Sequence, residues 1–219
     1  MKKRLKTWTC LMLVLLLAFA GITAAAEGAE EKKEWEEQAT HAVDAEDYET
    51  ALHYFTLLAD AGDPHAQYVT ASFYYFGLGV EQSYEKAAEY YHLAADQGEP
   101  ASQESLGTMY YAGLAVEQSY EKAAEYYRLA ADQGDATGQW GMGKAYQFGV
   151  GVQVDYEKAA AYYRLSADQE DPDGLECLSY LYLEGLGVEQ STEQAIALYR
   201  LAAERGSEEA QLQLMILGQ

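Results

Sequence analysis

The sequence predicts an all-α fold, a solenoid of stacked helical hairpins with capping helices at both ends, and three observations carry that expectation. The first is recurrence. EQSYEKAAEYY stands at residues 81–91 and again at 117–127, and the eighteen residues from Glu81 and from Glu117 differ only at His92 against Arg128. Looser versions, VDYEKAAAYYRLSADQE and STEQAIALYRLAAERG, follow, so that Tyr48, Tyr84, Tyr120, Tyr156 and Thr192 keep a spacing of 36. Self-similarity at a period of roughly 20–50 residues is the signature of a repeat architecture. The second observation is helical spacing. In SYEKAAEYYRLAADQG, Tyr120, Ala123, Ala124, Tyr127, Ala130 and Ala131 fall at i, i+3, i+4 and i+7 steps and make one face of an α-helix. The third is punctuation: a glycine-bearing loop, GLGV, GLAV, GVGV or GLGV, separates the two helical halves of each unit.

The chain opens with Lys2, Lys3, Arg4 and Lys6, followed by the apolar run LMLVLLLAFAG and the small residues Ala24, Ala25 and Ala26. This is the order of a secretory signal peptide over residues 1–26, and it predicts cleavage before Glu27 and export to the periplasm or the medium. A membrane anchor is the alternative, but the apolar core is shorter than the roughly 20 residues that span a bilayer. No later segment is apolar enough, so no stable membrane insertion is expected after signal removal. The net charge is −22, and residues 1–26 hold four cations and no acid, which leaves −26 on the remainder. A surface of that sign repels nucleic acid and anionic lipid alike. Cys10 lies in the leader, so Cys177 has no partner for an internal disulfide. Its counterparts one, two and three periods back are Gly141, Ser105 and Val69, all fairly small, which favours a packed core thiol.

Residues 27–62 form a first hairpin, in which EEQATHAVDAEDYETALHYFTLLADAG keeps the second helix but lacks the glycine loop. Four full units follow at 63–98, 99–134, 135–170 and 171–206. Their first helices align Ala66, Thr70, Ala71 and Tyr74 with Ser102, Leu106, Gly107 and Tyr110, and these with Gly138, Met142, Gly143, Tyr146 and with Gly174, Leu178, Ser179, Tyr182. Small residues recur where two helices must approach closely, and tyrosine recurs one turn later, where a large ring fills the gap. The loop glycines Gly77, Gly113, Gly149 and Gly185 permit backbone angles that a side chain opposes, and the valine that follows plugs the open end of the hairpin. Ser83, Ser119, Asp155 and Ser191 are placed to cap the second helices, which Gly98, Gly134 and Gly206 end. After Gly206, SEEAQLQLMILG supplies one further first helix, a cap over residues 207–219.

SLGTMYYAGLAVEQSYEKAAEYYRLAADQG resembles a Sel1-like repeat, a relative of the tetratricopeptide repeat, with Leu-Gly-x-x-Tyr, Gly-x-Gly-Val (GLAV in this unit, Gly-x-Gly-Val in the other three), Lys-Ala and Tyr-x-x-Ala-Ala elements in phase. The resemblance covers residues 63–206 and implies a right-handed α/α solenoid; the hairpin at 27–62 is similar to a plain tetratricopeptide hairpin. Some secreted Sel1-like proteins are labelled β-lactamases, and those carry a cysteine bridge in each unit, which this chain lacks.

Chemistry fares poorly against the repeat. Ser83-Tyr-Glu-Lys86 and Ser119-Tyr-Glu-Lys122 match the Ser-x-x-Lys nucleophile motif. In the third unit Asp155 takes the serine position, and in the fourth Ser191 is followed by Gln194 where the lysine belongs, so what persists is the helix cap. The recurrent Gly-x-Gly lies between helices and lacks the lysine of a phosphate loop. His41, His53, His65 and His92 are scattered, and DQEDPDG at 168–174 puts Tyr180 where a calcium loop needs its bidentate glutamate. No catalytic residue, metal or cofactor is therefore assigned.

A stack of helical hairpins leaves a long concave surface lined mostly by first helices. The four units serve as an alignment inside one molecule: constant positions are explained by packing, and varying first-helix positions are available to specify a ligand. Variation falls at Tyr68, Glu104, Trp140 and Glu176, and again at Tyr75, Tyr111, Gln147 and Leu183. By analogy with tetratricopeptide repeats both sets face the groove, with Ser72, Thr108, Lys144 and Tyr180 between them. The expected function is an exported scaffold that binds a protein or peptide in this groove without catalysis. Two alternatives stand beside it, a cell-envelope hydrolase of β-lactamase-like type and a module that binds cell-wall glycan.

Overall fold

The computed structural model describes residues 28–218; the leader expected over residues 1–26 lies outside the described residues. Every regular element among them is a helix. Helix α1 covers residues 28–44. The series continues with α2 (Tyr48–Asp60), α3 (Pro64–Phe76), α4 (Tyr84–Asp96), α5 (Pro100–Ala112), α6 (Tyr120–Asp132), α7 (Ala136–Phe148), α8 (Tyr156–Ala167), α9 (Pro172–Glu184), α10 (Thr192–Glu204) and α11 (Glu208–Ile216). The contacts run in series, each helix packing on its sequence neighbours, which is the pattern of a solenoid.

Helix ends follow from short polar side chains. Ser83 and Ser119 accept the backbone N–H of Lys86 and of Lys122, each at 3.2 Å, and Asp155 accepts that of Lys158 at 3.0 Å. The first helices have their own acidic caps: Asp63, Glu99, Asp135 and Asp171 accept from Ala66, Ser102, Gly138 and Gly174. Each satisfies an amide that the helix cannot pair internally. The second helices end on Gln97, Gln133 and Arg205, one residue earlier than Gly98, Gly134 and Gly206. In the third unit the left-handed residue after the helix is Glu170, at φ 61°, where its neighbours have glycine.

The core is a row of tyrosines wedged between first helices. Tyr127 of α6 lies against its own unit's α5 and against α7 of the next: a Cβ added at Gly107 or at Gly141 would stand 2.7 Å from its ring. Tyr163 of α8 occupies the same place between α7 and α9, 2.5 Å from a Cβ added at Gly143. Tyr91, Tyr127, Tyr163 and Tyr199 are all buried. Burying a ring of this size contributes on the order of 2 kcal/mol, so the small residues of the first helices are the counterpart that lets each ring in.

A second tyrosine row sits further out. Tyr74 stacks on Tyr90, Tyr110 on Tyr126 and Tyr146 on Tyr162, at centroid separations of 6.1, 5.5 and 5.7 Å. Lys86, Lys122 and Lys158 each lay an ammonium over the inner ring of a pair, at 4.7, 4.8 and 5.1 Å. A third link ties the two helices of each unit together through side-chain amides: Gln97, Gln133 and Gln169 donate to the side-chain carbonyls of the buried Gln67, Gln103 and Gln139 at 2.7–2.8 Å. In the last unit Leu175 replaces the acceptor, and Arg205 pairs with Glu170 instead.

Candidate binding groove

Successive first helices meet, α5 touching α7 and α7 touching α9, whereas the second helices make no comparable contact with one another. The stack therefore curves with its first helices inside. Residues 68, 72 and 75, and their counterparts at each period, stand on that inner face at i, i+4 and i+7.

Three hollows lie along it. The N-terminal one, about 250 Å³, is lined by Tyr68, Tyr75, Glu104 and Thr108 together with Ser72, Phe76 and Tyr91. A narrow central cleft of about 30 Å³ is formed by Tyr111, Trp140 and Lys144 over Tyr127. The C-terminal basin, about 460 Å³, takes in Trp140, Lys144, Gln147 and Glu176 with Phe148, Asp173, Tyr180 and Glu209. Trp140 divides the last two, and Lys144 Nζ lies 4.0 Å from the centroid of its ring. Leu183 lines none of the three; it packs against the C-terminal core.

Tyrosine hydroxyls from the second helices form the floor. Tyr91 meets Ser72 Oγ at 3.1 Å, and Tyr127 meets Thr108 Oγ1 at 3.1 Å, while Thr108 donates to Glu104 Oε1 at 2.9 Å. Burial pushes the Tyr91 and Tyr127 hydroxyls up to about 12, so both stay protonated at neutral pH. Burial also raises the Glu104 carboxyl, an effect its bond from Thr108 opposes. Tyr163 donates to Gln147 Oε1 at 2.6 Å, which makes Gln147 a buried partner of the core as well as part of the basin wall. Glu176 accepts the hydroxyl of Ser207. Cys177 is packed beside Tyr163, and burial lifts its thiol above the ordinary value, which disfavours the reactive thiolate.

Two residues with no place in the sequence reasoning stand out on this face. Phe76 and Phe148 are each 65% exposed at the ends of α3 and α7. The signal was available, since their row reads Phe76, Ala112, Phe148, Glu184, and so varies between units as the ligand-facing rows do.

The Ser-x-x-Lys pairs have the geometry of a cap. Ser83 Oγ donates to Glu85 at 3.2 Å while it accepts from the Lys86 amide, and the Lys86 ammonium lies over Tyr74. Asp171 in DQEDPDG caps α9 and accepts the Ser166 hydroxyl at 2.8 Å. Among the described residues no cluster of three or more His, Cys, Asp or Glu side chains is placed to hold a metal ion, and no helix is long and apolar enough to cross a membrane.

A family model described as Sel1 repeat matches residues 41–63, 64–99, 100–135, 136–171 and 177–207. Among solved structures, a Sel1 repeat protein from Oxalobacter formigenes is similar at 35% identity and a TM-score of 0.67, over 78% of this chain and 49% of its own. A protective antigen present in uropathogenic Escherichia coli strains, which displays the same repeat fold, is similar at 30% identity and a TM-score of 0.72, over 85% of this chain and 41% of its own. The chain thus spans less than half the length of either. A Sel1 repeat protein of Klebsiella pneumoniae subsp. pneumoniae shares the fold at 18% identity, with a TM-score of 0.58. None of the curated proteins compared with the chain matches it.

Proposed function

The chain belongs to the Sel1 repeat family, whose members generally act as scaffolds for protein–protein contact, and from that premise we propose an exported scaffold that holds a protein or peptide in its concave groove. Repeat folds do not fix a function by themselves, so the reading rests on the groove. The observation that carries it is the set of large rings along the inner face that packing leaves uncovered: Phe76 and Phe148 at 65% exposure, Tyr111 at 44% and Tyr180 at 45%. Exposed aromatics gathered beside hollows are the usual anchors of an interface. Export follows from the leader over residues 1–26.

The test is cross-linked capture from the envelope and the medium of the organism that encodes the chain. The bait is residues 27–219, run beside a Trp140→Ala, Tyr111→Ala variant. A discrete protein captured by the parent form and lost with the variant is the expected result. Capture that the variant retains, or no enrichment by either bait, would overturn the groove as the working surface.

A further inference from the structure

The groove wall is electrically one-sided. Helices α3, α5, α7, α9 and α11 carry the acids Glu104, Asp173, Glu176, Glu184, Glu208 and Glu209 but a single lysine, Lys144, and no arginine. The cations of the repeat are on the second helices instead, where Lys86, Lys122, Arg128, Lys158, Arg164 and Arg200 stand among acids such as Glu85, Glu89, Glu121 and Glu125, so what sets the groove wall apart is its lack of cations. Three of the carboxylates, Asp173, Glu176 and Glu209, converge on the C-terminal basin, where Lys144 is the one cation. Hydrogen bonds to two of them come from neutral groups, Glu176 accepting from the Ser207 hydroxyl and Glu209 from the Gln213 amide at 2.7 Å. The basin is thus left two charges negative, on a chain whose net charge is −22.

The same basin presents the rings of Trp140, Phe148 and Tyr180. Carboxylates and the faces of aromatic rings attract one class of group in common. A cation gains Coulomb energy from the first and quadrupole attraction from the second. Lys144 shows the second effect within the chain itself, with its ammonium over Trp140. A guanidinium suits both surfaces best, since its plane stacks on a ring while its fork pairs with a carboxylate. Burial raises the Asp173 carboxyl, the Asp171 charge raises it further and Lys144 opposes both, so the charge of an added cation would act in the same direction as Lys144.

We infer that the basin between α7, α9 and α11 receives an arginine or lysine side chain of the bound partner, and hence that the groove selects basic polypeptide segments. The inference rests on the groove-binding reading above and adds the chemistry of the partner.

The experiment is selection of a displayed dodecapeptide library against residues 27–219 at about 150 mM salt, where screening confines attraction to within about 8 Å. The best peptide is then synthesised with arginine and with neutral citrulline in its place. The expected outcome has three parts. Selected peptides share a basic residue, and citrulline weakens binding to the parent chain about tenfold or more, as loss of a charge-assisted bond should. The Asp173→Asn, Glu176→Gln, Glu209→Gln chain shows the same loss. A control that removes equal charge from the second helices, Glu85→Gln, Glu89→Gln, Glu121→Gln, binds within about twofold of the parent, being beyond the reach of the screened field.

Peptides that need no cation yet are lost with Trp140→Ala, Tyr111→Ala would overturn the basic-partner inference and leave the groove reading in place. Basic peptides weakened equally by both triple variants would show general attraction to an acidic chain and overturn the site. Peptides indifferent to every groove variant, or no selection at all, would overturn both readings. The citrulline comparison uses the unaltered chain, so a variant that misfolds does not remove the test.

Discussion

Thr70 Oγ1 and Ser102 Oγ are fully buried in the first helices and have no hydrogen-bond partner. An unpaired buried hydroxyl costs about 1–3 kcal/mol. The other units avoid that cost at the same positions: Leu106, Met142 and Leu178 stand where Thr70 does, and Ala66, Gly138 and Gly174 stand where Ser102 does. Thr70→Val keeps the shape and removes the polar atom, so the melting temperature should rise by about 2–4 °C for each 1 kcal/mol recovered. A drop in thermal unfolding temperature would show instead that the hydroxyl is paired. Residue by residue, the groove was legible where variation marked it, as at Tyr68, Glu104 and Trp140. It was less legible at Gln147 and Leu183, which vary between units for reasons of packing: one bonds to Tyr163, and the other fills the last core cluster. Variation at one position does not say which of two neighbours the side chain meets.

At the scale of the element, the hairpin loops expose one irregularity. Gly79, Gly151 and Gly187 all sit at φ +66°, and Ala115 occupies the equivalent position at φ 55°. An L-residue in that region is strained by roughly 1–2 kcal/mol, of which glycine's greater freedom in the unfolded chain cancels up to about 1 kcal/mol. Ala115→Gly is therefore expected to stabilise by up to about 1 kcal/mol. Gly151→Ala should destabilise by several times as much, because its Cβ would stand 2.0 Å from the Tyr120 carbonyl oxygen, which belongs to helix backbone and cannot turn aside. Chemical denaturation of the two variants gives the comparison, and a stable Gly151→Ala chain would refute the packing described for this loop. Helices and loops were legible because capping, 3.6-residue spacing and glycine act over a few residues. The amide links were not: Gln133 and Gln103 are partners across 30 residues, and nothing local in ADQG announces an acceptor in the preceding first helix.

For the whole molecule, charge and tyrosine burial set the response to pH. Tyr91, Tyr127 and Tyr199 are held at about 12, above their ordinary value of 10.0, chiefly by burial. A group raised in this way contributes stability that is complete below pH 10 and is lost as pH climbs through its folded value. Thermal stability should accordingly fall steeply between pH 10 and pH 12, with tyrosinate absorbance of these rings appearing together with loss of helical circular dichroism. A melting temperature that holds to pH 12 would contradict the burial of this row.

The order of contacts has a mechanical side. Among the described residues the substantial helix contacts run only within a hairpin or between neighbouring hairpins, and the series reaches α11, a helix of nine residues with Ala210 its one buried side chain. Tension applied at the two ends would meet no tie that bypasses a unit, so the molecule should yield from its weakest end inward. Each 36-residue step would release roughly 120 Å of chain at full extension. A bound partner lying across several first helices would staple those steps together, so that the scaffold would stretch as a spring when empty and resist as a strut when loaded.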